Sequence, residues 1–91
     1  MTSQELESIF EIQGYQFEKY YTKKHNRDTF CFPSKAFRKV VIDYYRDKNL
    51  LEFSQDKYIR TYYNFGSRDD LTELIDDLST CLNSFTRRME A

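Results

Sequence analysis

Residues 50–85 constrain the fold more than any other stretch of the chain. Leu50-Leu51-Glu52-Phe53 leads through Ser54-Gln55-Asp56-Lys57 into Tyr58-Ile59-Arg60-Thr61-Tyr62-Tyr63-Asn64-Phe65, and Gly66-Ser67 breaks the run. Two apolar and aromatic runs this close in sequence pair as an antiparallel hairpin, because a parallel partner needs a crossover of about a dozen residues or more. An amphipathic helix follows, marked at both ends. Ser67 stands at its N-cap and Asp70 at its third helical position, a capping box with Asp in place of Glu or Gln. Asp69, Asp70 and Glu73 lie at the positive end of the helix dipole, and Arg87 and Arg88 near the negative end. Leu71, Leu74, Ile75, Leu78, Leu82 and Phe85 recur at helical spacing and form one apolar stripe.

The N-terminal half has weaker signals. Ser3 is the expected cap of a first helix carrying Leu6, Ile9 and Phe10, which Gly14 stops. Tyr15 to Thr22 begins with alternation and reads as a strand, Lys23 to Asp28 as a polar turn, and Thr29 to Phe32 as a second strand ended by Pro33. Ser34 then caps an expected middle helix. Phe37, Val40, Val41, Tyr44 and Tyr45 fall at i, i+3, i+4, i+7 and i+8 along it, and Asn49 closes it. The predicted order is αββαββα. It gives a single α+β domain over residues 1–91, an antiparallel or mixed four-stranded sheet with helices packed on one face.

Composition narrows function mostly by exclusion. Net charge is −1 and the pI about 5.8, so no global basic field draws the chain to nucleic acid or to an anionic membrane. There is no apolar run long enough to span a bilayer. Met1 to Leu6 lacks the basic and apolar segments of a secretory signal, and the expected location is cytoplasmic. With two cysteines and one histidine, neither a disulfide framework nor a zinc site is expected. Cys31 and Cys81 read as small core residues, and His25 as a solvated turn residue beside Lys23, Lys24 and Arg27. Adjacent carboxylates such as Asp76-Asp77 diverge around a helix and do not make an acid–base pair. The inventory points to no catalysis and no cofactor.

The aromatic load is the feature left over. Eight Phe and eight Tyr in 91 residues fill a small core, and tyrosine also suits half-wet contact surfaces. Tyr58, Arg60 and Tyr62 alternate on one strand face, where a guanidinium between two rings is braced to meet a carboxylate or phosphate. A surface ion pair with Glu52 or another neighbour is the plainer role for Arg60. Tyr20, Tyr21, Lys23, Lys24, His25, Arg27, Arg38 and Lys39 make the first half locally basic, which keeps single-stranded nucleic acid open as a ligand, against an acidic second half.

The order of elements also resembles the C-terminal small domain of class V aminotransferases, the pyridoxal-phosphate family that includes cysteine desulfurases. Leu6 to Gly14 is similar to its lead helix, Arg27 to Phe32 to its first core strand, and Ser34 to Asn49 to its middle helix. Tyr58-Ile59-Arg60-Thr61 followed by Ser67-Arg68-Asp69-Asp70-Leu71 is similar to its arginine strand and last helix. The resemblance implies that Arg60 grips a substrate carboxylate. It also implies a separate large subunit, since the large catalytic domain is not in this sequence. The residues themselves favour a different expectation. They suggest a small non-catalytic protein-interaction protein, regulatory or inhibitory and of a kind encoded by phages or mobile elements, that meets another protein through Tyr20, Tyr21, Tyr58, Arg60 and Tyr62.

Overall fold

The structure is a computed structural model that describes residues 2–33 and 39–90, with side chains as far as Leu82. It is α+β: helix α1 (Ser3–Ile12), five strands in succession, and helix α2 (Arg68–Glu90). The strands are β1 (Glu18–Thr22), β2 (Arg27–Phe32), β3 (Val40–Tyr45), β4 (Leu50–Gln55) and β5 (Tyr58–Tyr62). They form a single antiparallel meander in the order β1-β2-β3-β4-β5. Antiparallel pairing and the β4–β5 hairpin agree with the sequence expectation. Among the described residues there are five strands rather than four and two α-helices rather than three.

The difference lies in one segment. Val40 to Tyr45 is a strand, not the body of a middle helix. Its exposure alternates, with Val40, Ile42 and Tyr44 buried and Val41, Asp43 and Tyr45 half-buried on the other side. A helical stripe through 40, 41, 44 and 45 leaves Ile42 facing outward, yet Ile42 is fully buried. The run Val40-Val41-Ile42 is β-branched, with side chains stiff at χ1 that pack well on a pleated surface. Asn49 does adopt the left-handed conformation expected of it (φ 47°), but it closes a β3–β4 turn rather than a helix. The expected cap Ser34 and the stripe residue Phe37 lie outside the described residues.

Turn chemistry sets the meander. Asn26, Asn49, Asp56 and Asn64 all have positive φ, at 46°, 47°, 53° and 53°. Asn and Asp are the non-glycine residues that tolerate this region best, and each stands where a strand must end or reverse. Gly14, at φ 81°, follows the C-cap Gln13 and ends α1 as expected. Thr2, rather than Ser3, caps α1 by accepting the Glu5 N–H at 3.1 Å, and Ser3 is the first helical residue. Ser67 caps α2 by accepting the Asp70 N–H at 3.0 Å.

The register divides the sheet residues into two faces. Both helices pack on one of them. Leu6 and Phe10 of α1 meet Phe30, Phe32, Val40, Ile42, Leu51 and Phe53 of the sheet, together with Tyr62, Phe65, Leu74 and Leu78, in one cluster of buried residues. Rings carry much of the α1 contact: Phe10 stands edge-on to Phe17, Phe30 and Phe32 at centroid distances of 5.9, 5.3 and 5.0 Å. Cys81, Leu71, Ile75 and Leu82 are half-buried against the same cluster. Phe85, Arg87 and Arg88 of the expected α2 pattern lie beyond the described side chains.

Candidate functional site

The opposite face of the sheet carries neither α1 nor α2. Because paired residues share a face, it can be read off the register as three rows. Glu18, Cys31, Val41, Ser54 and Ile59 make the first row, and Tyr20, Thr29, Asp43, Glu52 and Thr61 the second. Thr22, Arg27, Tyr45 and Leu50 make the third. Every one of these residues is half-buried or exposed, and Tyr20 and Ile59 are exposed to 54% and 61%.

The middle row is polar, with an acidic centre. Asp43 and Glu52 stand directly opposite each other on β3 and β4, an arrangement that like charges disfavour. Asp43 accepts the Thr29 hydroxyl at 2.7 Å, and Arg27 Nε lies 3.7 Å away, outside hydrogen-bond range. Arg27 also rests against the Tyr45 ring, 5.8 Å from its centroid. Among the described residues paired in the register, this face holds the carboxylates of Glu18, Asp43 and Glu52 against the guanidinium of Arg27.

The five residues singled out from the sequence fall into different environments. Tyr20 lies on the open face near the β1 edge and donates its hydroxyl to Glu18. That hydrogen bond to a carboxylate, and its charge, push the Tyr20 phenol up. Tyr21 points to the helix side, half-exposed, with its hydroxyl on Asn26 Oδ1 at 2.8 Å and its ring 4.5 Å from the Arg46 guanidinium. Tyr58, Arg60 and Tyr62 do share a face, but it is the helix-covered one. Tyr58 is 48% exposed and meets the Phe53 ring edge-on. Tyr62 is buried at 5% exposure beside Phe65, and burial together with the nearby Asp77 pushes its phenol far up.

Arg60 has partners that the strand pattern could not reveal. Its Nη1 donates to Asp77 Oδ2 at 2.9 Å and its Nη2 to Glu73 Oε2 at 2.6 Å, so its ion pairs reach α2 rather than Glu52. Its guanidinium carbon sits 5.0 Å from the Tyr62 ring centroid. A substrate carboxylate at this arginine would have to displace two carboxylates already in place.

A second cluster was not legible in the sequence. Asp28, expected in a polar turn, is fully buried in β2. Arg46 grips it with two hydrogen bonds, Nε to Oδ2 at 2.7 Å and Nη2 to Oδ1 at 2.8 Å. Burial alone would raise the Asp28 carboxyl. The Arg46 hydrogen bonds and charge outweigh that, aided by Ser3 and Lys19, and hold it below the usual carboxylate range. A shallow depression of about 610 Å³ opens nearby, lined by Thr2, Ser3, Gln4, Glu7, Lys19, Tyr44 and Arg46. Its two cations are taken, Lys19 by Glu7 at 2.8 Å and Arg46 by Asp28.

Cys31 also differs from expectation. It lies on the open face between Glu18 and Val41, not in the core, because its odd position in β2 points away from Phe30 and Phe32. Cys81 is half-buried against the core, and burial, with Asp77 nearby, pushes its thiol up. Among the described residues no cluster of His, Cys, Asp and Glu could hold a metal ion, and no helix is long and apolar enough to cross a membrane.

No protein-family model matches the chain, and neither a curated protein nor a solved structure matches it.

Proposed function

We propose that this is a non-catalytic, regulatory or inhibitory binding protein that docks another protein on the open face of its sheet. The observation that carries the reading is the asymmetry of the layers. Both helices lie on one face, while the other presents Val41, Tyr45, Leu50 and Ile59 around a polar row. Half-buried aromatic and aliphatic side chains with a few polar groups are the material of protein interfaces. Tyr20, from the original set of candidate contacts, belongs to this surface. Tyr21 and Tyr58 are exposed on the other side of the sheet and would serve at most at its rim.

The same face speaks against single-stranded nucleic acid. Among its described, register-paired residues, three carboxylates to one guanidinium give a local field that disfavours phosphate. An aminotransferase-like role for Arg60 draws no support from its geometry, which already satisfies the guanidinium with Glu73 and Asp77.

The test compares the two sides of the molecule. Val41→Arg and Tyr45→Glu on the open face should abolish co-purification of a partner from the native cell. Glu11→Arg on the exposed side of α1 should leave it intact. Equal retention of the same partner by all three variants, each folded, would end the open-face reading.

A further inference from the structure

We infer that the partner seated on the open face presents a lysine or arginine within an apolar surface, and that this cation docks over Asp43 and Glu52. The inference rests on the open-face reading and adds the chemistry of the occupant. Its basis is the cross-strand juxtaposition of two carboxylates at the centre of a face whose outer rows are more apolar.

The geometry supports three steps. First, Asp43 and Glu52 are directly opposed, so the sheet carries a repulsion that it could have avoided with one neutral residue. Arg27 is the one cation among the register-paired residues described on the face. It makes a long ion pair with Asp43, Nε to Oδ1 at 3.7 Å without a hydrogen bond, so one guanidinium faces two carboxylates and the pair keeps a net negative charge. A cation from outside would remove the repulsion on docking, and it would be worth more there than in water, because the arriving partner excludes solvent. Second, the rows on either side are less polar. Val41, Cys31 and Ile59 lie along one side, and Tyr45 and Leu50 along the other. A complementary surface therefore has a basic centre between apolar shoulders, the arrangement of a helix or hairpin with one Lys or Arg among aliphatic residues. Third, the patch has the size of a small, transient contact. Strands about 4.8 Å apart with a rise of about 3.4 Å per residue give a face of roughly 20 by 20 Å. That is about half of the roughly 800 Å² each partner contributes to a standard interface.

A second copy of this chain is a poor occupant. Face-to-face stacking would bring Asp43 and Glu52 of one molecule against the same pair of the other. The excess of carboxylates would then double in a layer that water has left.

The experiment places a photo-reactive benzophenone amino acid at Ile59, on the open face, in the full-length protein expressed in its native cell. A second version carries it at Ile12, exposed on α1. Cross-linked products are mapped by mass spectrometry. The Ile59 probe should mark a segment of a different protein with a Lys or Arg among apolar residues. Glu52→Lys should cut that cross-link about tenfold or more, because an opposing charge at an interface controls both capture and residence. This substitution sets an ammonium opposite Asp43, so the sheet itself should be as stable as before, checked by its melting temperature. An undiminished cross-link with Glu52→Lys would overturn the basic partner while leaving the open face as the docking site. A cross-link to a second copy of this chain would overturn it as well. Products from Ile12 with none from Ile59 would overturn the open-face reading itself.

Discussion

The two faces of the sheet obey different rules. On the helix-covered face, Phe30, Phe32, Val40, Ile42, Leu51 and Phe53 are fully buried, and the buried carboxylate of Asp28 is held by a bidentate arginine. On the open face none of the described register-paired residues is fully buried, and two carboxylates oppose each other with only a long ion pair, Arg27 to Asp43 at 3.7 Å, to offset them. The covered face behaves as a packed interior, where volume and polar satisfaction decide stability. The open face tolerates an unfavourable pair because water still solvates it. Stability is therefore concentrated on one side of a single sheet, and the other side is available for recognition.

That contrast can be broken most sharply at Phe10. Its ring contacts Phe17, Phe30 and Phe32 and has no exposure, so Phe10→Ala should cost about 3–5 kcal/mol in urea denaturation. A loss under about 1 kcal/mol would mean that α1 does not seal the core. Next comes Tyr62→Ala, expected to cost roughly 2–4 kcal/mol because the ring is buried beside Phe65. The strand pattern alone makes this residue a contact with another protein, so an unchanged melting temperature would return it to the surface.

The Asp28–Arg46 pair sharpens the comparison through pH. The folded carboxyl is held below its unfolded value of about 3.9. Its contribution is therefore complete above that value and is lost as pH falls through the lower, folded pKa. Asp28→Asn should destabilise by about 1–3 kcal/mol near neutral pH. The variant should also flatten the fall in stability below about pH 4, measured by urea midpoints at a series of pH values. An acid limb identical to that of the parent would show that other carboxylates carry it. The smallest effect is expected on the open face. Glu52→Gln should move stability by no more than about 0.5 kcal/mol, and toward greater stability, because it relieves the repulsion from Asp43. A clear loss would mean that Glu52 has a structural partner on that face.

How much of this was legible in the sequence depended on the range of the interactions. The β4–β5 hairpin and capped α2 could be read from their residues, because a turn and a Ser67 cap are satisfied within a few positions. Val40 to Tyr45 could not be read with the same security. Its apolar residues fit a helical stripe as well as an alternating one, and only the fate of Ile42 separates the two. That misassignment also hid the candidate site, since Val41 and Tyr45 were assigned to a helical core when they stand on the open face. Arg60 illustrates the complementary difficulty. Its alternation with Tyr58 and Tyr62 is a local fact, but Glu73 and Asp77 reach it only because α2 folds back over the sheet.

The sequence by itself determined an α+β chain with an antiparallel β4–β5 hairpin and a helix at each end, the first stopped at Gly14 and the last capped by Ser67. These features depend on periodicity, caps and backbone preferences of neighbouring residues. Tertiary structure decided which side of each strand met the helices, and with it the burial of Asp28, the ion pairs of Arg60 and the open rows around Asp43 and Glu52. The physical reason is that a strand has two chemically usable faces, and the choice between them is made by what packs against the sheet from a distance along the chain.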